Sequence, residues 1–234
     1  HDIIRILGAW FGSLFGKEGK DFKSRMGAHN PDTQMGWFII LGTMPILIAG
    51  LLFKHAIEGS LRNLWITVTV LALFGVLLWV VDARSKQVKT MKEMTWKDAL
   101  IFGIGQMLAL IPGVSRSGGT ITFGRAMGYT REAAVRVSFL MAIPAVFGAG
   151  ILEAVSAVKD VAAGDAGMFP GWGPTIAAAI VAFVVGYVVI IGFLKFVSTF
   201  SYKAFAIYRI GLAIVVALLL ITGVLSPLEA AVAA

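Results

Sequence analysis

The chain alternates long apolar runs with short polar stretches. Runs long enough to cross a bilayer, which takes about 20 helical residues, lie at 36–53, 63–81, 137–158, 174–194 and 205–225. They predict five membrane-spanning helices. Residues 1–16 follow another pattern, with Ile3, Leu7, Trp10 and Leu14 on one helical stripe and Ile4, Phe11 and Phe15 beside it. That spacing suits an interfacial helix, or the frayed end of a span whose beginning is absent. Lys17 to Thr33 is polar, with Lys17, Lys20, Lys23 and Arg25, and Asn30-Pro31-Asp32 is expected to break helix, so this stretch reads as a surface loop.

One segment departs from this rhythm. Asp98 to Ile111 has about 14 residues, roughly 21 Å of helix at 1.5 Å per residue, and Pro112-Gly113 ends it. It is too short to span alone. Residues 117 to about 128 continue as a second short helix that stops at Gly128. The pair predicts a re-entrant helix-loop-helix with a polar tip, and backbone of that kind at membrane depth needs protein or water around it. The expected fold is all-α and polytopic, in one membrane domain. It comprises an interfacial helix and cytoplasmic loop (1–35), two spans (36–81), the hairpin (98–128) and three spans (137–225).

Charge orients this arrangement. Lys and Arg number five in 1–35, five in 82–97, three in 125–136 and two in 195–204, against two in 54–62, one in 159–173 and none after 225. Basic loops stay on the cytoplasmic side, so the first group is cytoplasmic. The assignment closes only if the hairpin enters and leaves on that side. A hydrophobic share of 58% with a charged share of 14% and a mean hydropathy of +0.87 excludes a soluble core. The net charge of +7 does not point to nucleic acid, because the basic residues sit between apolar runs with no aromatic interleaving. Without cysteine there is no disulfide framework, thiol nucleophile or thiolate metal site. The chain opens on His1 and has no signal pattern, so a fragment or a processed chain is expected.

The polar tip, Pro112-Gly113-Val114-Ser115-Arg116-Ser117-Gly118-Gly119-Thr120, carries the chemistry. Glycines let backbone N–H groups approach an anion, hydroxyls donate to it, and Arg116 offers a planar fork that fits phosphate oxygens. A helix beginning near Ser117 would aim its free N–H groups and positive dipole end at the same place. A phosphate or diphosphate is the simplest ligand. Ser115, Ser117 and Thr120 would each also serve as hydroxyls bonded to helix carbonyls, but as a cluster they read as ligand contacts. Gln106 on the first hairpin helix either braces the tip or meets the ligand. Arg209, beside Tyr208, reads as an interfacial anchor, with a second phosphate contact as the alternative. Glu153 is a lone carboxylate in a span, either near an interface or engaged in metal or proton work. His29 and His55 fall at membrane edges, where a solvated imidazole is the default. No carboxylate pair and no histidine lies near the hairpin in sequence, so the cradle for an anion is present without a metal-ligating set.

The run from Gly105 to Thr120 resembles the second signature of the bacterial undecaprenyl-diphosphate phosphatases, the bacitracin-resistance family, whose pattern is P-G-x-S-R-S-x-x-T. Phe139-Leu140-Met141-Ala142-Ile143-Pro144 and Ala204-Phe205-Ala206-Ile207-Tyr208-Arg209 are similar to that family too, and the order of spans fits throughout. The resemblance implies an integral enzyme of the bacterial cytoplasmic (inner) membrane, built as an inverted repeat with its site facing outward. Such an enzyme hydrolyses the C55 polyprenyl diphosphate and recycles the carrier for cell-wall synthesis. It implies catalytic roles for Arg116, Ser115 and Thr120 and substrate-binding roles for Ser117, Gly113, Gly118, Gly119 and Gln106. The family's first signature, E-G-x-x-E followed by P-x-S-S-T-G-H on another hairpin, has no counterpart here. A divalent cation, Mg or Ca, is therefore expected to find its ligands outside this chain, and a hairpin and a span are expected upstream of His1. The expected partners are the polyprenyl diphosphate lipid, the bilayer and a second copy of the chain as a homodimer. Two other readings share the broken-helix device: a carrier or flippase for an anionic lipid, and a catalytically silent scaffold.

Overall fold

A computed structural model describes residues 2–17, 19, 21–163 and 170–228. His1, Lys20 and the middle of the loop expected at 159–173 lie outside the described residues. The described helices are α1 (Asp2–Leu14), α2 (Phe22–Arg25), α3 (Pro31–Leu52), α4 (Lys54–Glu58), α5 (Leu64–Arg84), α6 (Trp96–Met107), α7 (Arg116–Ala126), α8 (Arg131–Ala162), α9 (Trp172–Thr199) and α10 (Lys203–Ile221). Five of them, α3, α5, α8, α9 and α10, are long and apolar enough to cross a membrane. The all-α polytopic fold expected from the apolar runs is the fold found.

Capping residues explain where the helix boundaries differ from the hydropathy pattern. Asn30-Pro31-Asp32, expected to break helix, begins one instead. The Asn30 side chain accepts from the amides of Asp32 at 2.9 Å and Thr33 at 3.4 Å, and Pro31 takes the first helical position, where its missing N–H costs no bond. Likewise Thr130 accepts from the Ala133 amide at 3.2 Å and starts α8 at Arg131, ahead of the apolar run. His55 lies in the short helix α4, still exposed. Helix α1 lies against α3, with Trp10 edge-on to Trp37 at 5.5 Å and Arg5 paired with Asp32 at 2.9 Å, while Ile4, Phe11 and Phe15 face outward.

Helices α6 and α7 form the hairpin. Thr95 and Asp98 close a capping box at the start of α6, each side chain bonding the other's backbone amide. A 3-10 turn at Leu108–Leu110 ends the first arm, and the chain turns through Pro112 and Gly113 before α7. The two arms meet backbone to backbone at Gly105 and Gly119: a Cβ at Gly119 would collide with the Gly105 carbonyl. Gly103 meets Gly42 of α3 in the same manner. These crossings replace side-chain ridges with direct backbone approach, the usual device where the surroundings are as apolar as the helices.

The loops on either side of the hairpin are hydrogen-bonded to each other. The Lys89 amide donates to the Gly128 carbonyl at 3.0 Å and the Thr130 amide to the Lys89 carbonyl at 2.9 Å. The chain therefore enters and leaves the hairpin on one side, as the charge count requires. A core of Phe102, Tyr129, Ala134, Val135, Val137 and Met141 packs beneath that side. The tip lies at the other end. Gly113 presses on the Thr67 carbonyl and the Leu71 amide of α5, about 4–10 Å along that helix from Leu64. Asp82 lies roughly 27 Å from Leu64 by the same rise.

Candidate anion site at the hairpin tip

Ser115 sets the geometry of the tip. It holds the N-cap of α7 with φ +67 and ψ 124, a left-handed φ that a serine adopts only where its surroundings fix it, and its Oγ accepts from the Gly118 amide at 3.3 Å. That leaves the first two amides of α7, Arg116 and Ser117, without a backbone or side-chain acceptor among the described residues. They share the positive end of the helix dipole. The Arg116 side chain is exposed, with no hydrogen bond or ion pair to any described residue. Ser117 is half-buried beside it.

A second guanidinium reaches the same turn. Arg209 of α10 is 8% exposed, so it is not the interfacial anchor expected from the sequence. Its Nη2 donates to the Gly113 carbonyl at 2.6 Å, and a Cβ at Gly118 would run into its Nη1. Its Nε is buried without a partner. Sequence could not bring Arg209 to the hairpin tip, because the contact joins positions 96 residues apart; the available signal is an arginine at the fifth residue of a predicted span, where an unpaired charge is costly.

The remaining expected site residues fall in two groups. Ser115 and Ser117 lie at the mouth, whereas Thr120 is fully buried and its hydroxyl donates to the Arg116 carbonyl at 2.7 Å. Gly113 has φ +99 and seats the tip on α5, Gly118 makes room for Arg209, and Gly119 makes room for α6. Gln106 is fully buried on α6, and neither its amide oxygen nor its nitrogen has a hydrogen-bond partner among the described residues. A buried amide left in that state is costly. Glu153 and His29 are exposed.

At the opposite end of the hairpin, sequence reasoning missed a cluster. Asp82 of α5 is 4% exposed and accepts from Arg125 Nε at 2.8 Å, Arg131 Nε at 3.0 Å, Arg131 Nη2 at 3.1 Å and the Tyr202 amide at 3.2 Å. Arg125 is fully buried and also donates to the backbone carbonyls of Asp82 and Tyr129. A second carboxylate, Asp98, accepts from the Tyr129 hydroxyl at 3.0 Å and lies 3.4 Å from the Lys89 ammonium. Burial and this bond push the Tyr129 hydroxyl above the ordinary phenol range. The signal for the cluster was a lone Asp closing an apolar run and a lone Arg closing the hairpin.

The donor set at the tip is two guanidiniums, hydroxyls and free amides. It fits an anion with several oxygens and does not fit a divalent cation, which calls for carboxylate or carbonyl oxygens. No group of three or more His, Cys, Asp or Glu that could hold a metal ion occurs among the described residues. Fold and tip together define a multi-pass membrane protein with a re-entrant hairpin whose tip gathers hydrogen-bond donors and positive charge.

The chain belongs to the bacitracin resistance protein BacA family, whose match covers residues 1–215. An undecaprenyl-diphosphatase of Bifidobacterium adolescentis is 91% identical over 234 residues, all of this chain and 80% of that protein. One from Bifidobacterium animalis subsp. lactis is 75% identical over 228 residues, 97% of this chain and 77% of the relative. One from Pseudarthrobacter chlorophenolicus is 51% identical over 226 residues, 96% of this chain and 77% of the relative.

Proposed function

We propose that this chain hydrolyses undecaprenyl diphosphate to undecaprenyl phosphate and inorganic phosphate, recycling the lipid carrier of cell-wall synthesis, with the diphosphate seated at the hairpin tip. Family membership and the three relatives support the reaction. The observation that carries the location is the tip itself, where Arg116 opens a helix whose first amides are free and Arg209 is bonded to the same turn, neither paired with a carboxylate among the described residues.

The chain's own groups bind and neutralise. Arg116 takes phosphoryl oxygens with its free fork, and the Arg116 and Ser117 amides receive another oxygen along the dipole. The Ser115 oxygen accepts from Gly118, so its proton is still available to the ligand, as is that of Ser117. Thr120 acts from behind by fixing the Arg116 carbonyl, and meets the phosphate only if its hydroxyl turns away from that carbonyl. Arg209 contributes the second positive charge. Water adds to the terminal phosphorus and the bond to the bridging oxygen breaks, so negative charge accumulates on oxygens that these donors already face. None of these side chains is a carboxylate or an imidazole, so they do not activate the water. A divalent cation, Mg or Ca, belongs to this reading only with ligands other than the described residues.

The reading puts the protein in the bacterial inner membrane with the tip toward the outer side. Supporting it are Arg84, Lys86, Lys89, Lys92 and Lys97 at the base of the hairpin against Lys54 and Arg62 at the other end of α5. A second copy of the chain is the proposed protein partner. Helix α9, whose apolar window has no buried residue, is the surface with most to offer it.

The test is phosphate release from undecaprenyl diphosphate by the purified full-length protein in detergent and in liposomes, beside Arg116→Ala. Release by wild type, lost in the variant while the melting temperature holds, is the expected result. Full release by Arg116→Ala would overturn the site assignment. Lipid movement across liposomes with no phosphate released would turn the reading to a carrier.

A further inference from the structure

The proposal concerns Asp82 and rests on the reading of Arg116 and Arg209 as the phosphate-binding pair. Both arginines stand on helices whose far ends are held by the same carboxylate. On α7, Arg116 lies nine positions before Arg125, whose Nε donates to Asp82 Oδ1 at 2.8 Å. On α10, Arg209 lies seven positions after Tyr202, whose amide donates to Asp82 Oδ2 at 3.2 Å. At 1.5 Å per residue the two struts are about 13 Å and about 10 Å long. They converge again at the tip, where Arg209 Nη2 donates to the Gly113 carbonyl and Nη1 lies against Gly118. Helices of two to three turns transmit a shift at one end to the other with little loss.

The contacts around Asp82 suit a positioning role. One carboxylate gathers four N–H bonds from α7, α8 and the start of α10. The Tyr202 hydroxyl donates to the Arg131 carbonyl at 3.2 Å, and Arg125 Nη2 donates to the Asp82 carbonyl at 3.1 Å, which closes the cluster on itself. A general packing contact would not need a backbone amide of α10 and a fully buried guanidinium of α7 on the two oxygens of one side chain.

We infer that Asp82 is a positioning residue for phosphoryl transfer: it fixes the spacing of the Arg116 and Arg209 guanidiniums by pinning the base ends of α7 and α10 to one point. It touches no substrate. Its effect is carried by the two helices, so it shows in turnover and in coupling to Arg209.

The experiment uses the full-length enzyme with Asp82→Glu, which keeps the charge and lengthens the side chain by one methylene, and with Arg125→Lys, which keeps the charge and removes the fork. Each is measured alone and combined with Arg209→Lys, for kcat, KM and melting temperature on undecaprenyl diphosphate. The expected result is a tenfold or greater fall in kcat for Asp82→Glu, with KM changed less than threefold. In the Arg209→Lys background the same change should cost less than threefold. If Asp82→Glu does not fold, Arg125→Lys carries the same expectation. Wild-type kcat in both charge-preserving variants overturns the proposal, and so does a loss of equal size in the two backgrounds. If the wild-type enzyme releases no phosphate, the proposed function itself fails, which is a separate outcome.

Discussion

The two ends of the hairpin are made of similar residues and behave as opposites. At the base, Arg125 and Arg131 share Asp82, and Lys89 lies beside Asp98. Every one of these charges has a counter-charge within the protein. At the tip, among the described residues, Arg116 and Arg209 pair with no carboxylate, two amides stay open, and Arg116 stands exposed. A guanidinium with a buried partner contributes to the fold; one without a partner is kept for something that arrives. Paired charge marks the scaffold here, and on the proposed reading unpaired charge marks the site.

Removing one member of the buried set should produce the largest effect. Arg125→Met leaves Asp82 short of its shortest bond in a desolvated place, and breaking such a pair costs about 3–5 kcal/mol; the melting temperature of the purified protein should fall steeply, and kcat of the protein that still folds should fall as well, since the base end of α7 loses its anchor. Arg116→Ala should do the reverse, cutting kcat by about 10²–10³-fold, as loss of one preorganised charge-stabilising donor does, with no change in melting. If Arg125→Met melts normally, or if Arg116→Ala melts early, the division between the two ends is wrong.

Two smaller changes sharpen it. Gly119→Ala forces the hairpin arms apart at the Gly105 carbonyl, an overpacking cost of about 1–3 kcal/mol, and should lower both melting temperature and turnover because the tip moves with α7. Tyr129→Phe removes the hydroxyl bonded to Asp98 and should cost about 1 kcal/mol in a denaturant titration, leaving kcat within twofold of wild type.

How much of this could be read in advance depends on the range of the interaction. The five spans, the short arms of the hairpin and the polar tip all follow from hydropathy and from Pro and Gly over a few tens of residues. Asn30-Pro31 departs from the expected break because proline both ends and begins helices, and the outcome turns on whether the preceding side chain caps. Arg209 departs from the expected interfacial anchor because its partner, the Gly113 carbonyl, lies in a different helical unit. Arg125 enters the sequence reading only as a member of the basic-residue count and Asp82 does not enter it at all, since nothing local tells a carboxylate which of several arginines will share it. Gln106 is open to two roles in the sequence, and its buried amide, unbonded among the described residues, is a property of packing that no pattern of letters carries.

The surplus of positive charge at the tip also has a meaning for the bilayer around it. A membrane surface offers a phosphate on nearly every lipid, yet the phosphodiester of an ordinary phospholipid carries one negative charge, whereas a terminal diphosphate carries two or three. Attraction to a pair of fixed cations grows with that number, and more steeply where water is scarce. If the tip seats the diphosphate as proposed, two arginines with no carboxylate paired to them among the described residues would act as a sorting device, passing over the abundant singly charged headgroups and retaining the rare one with charge enough to answer both.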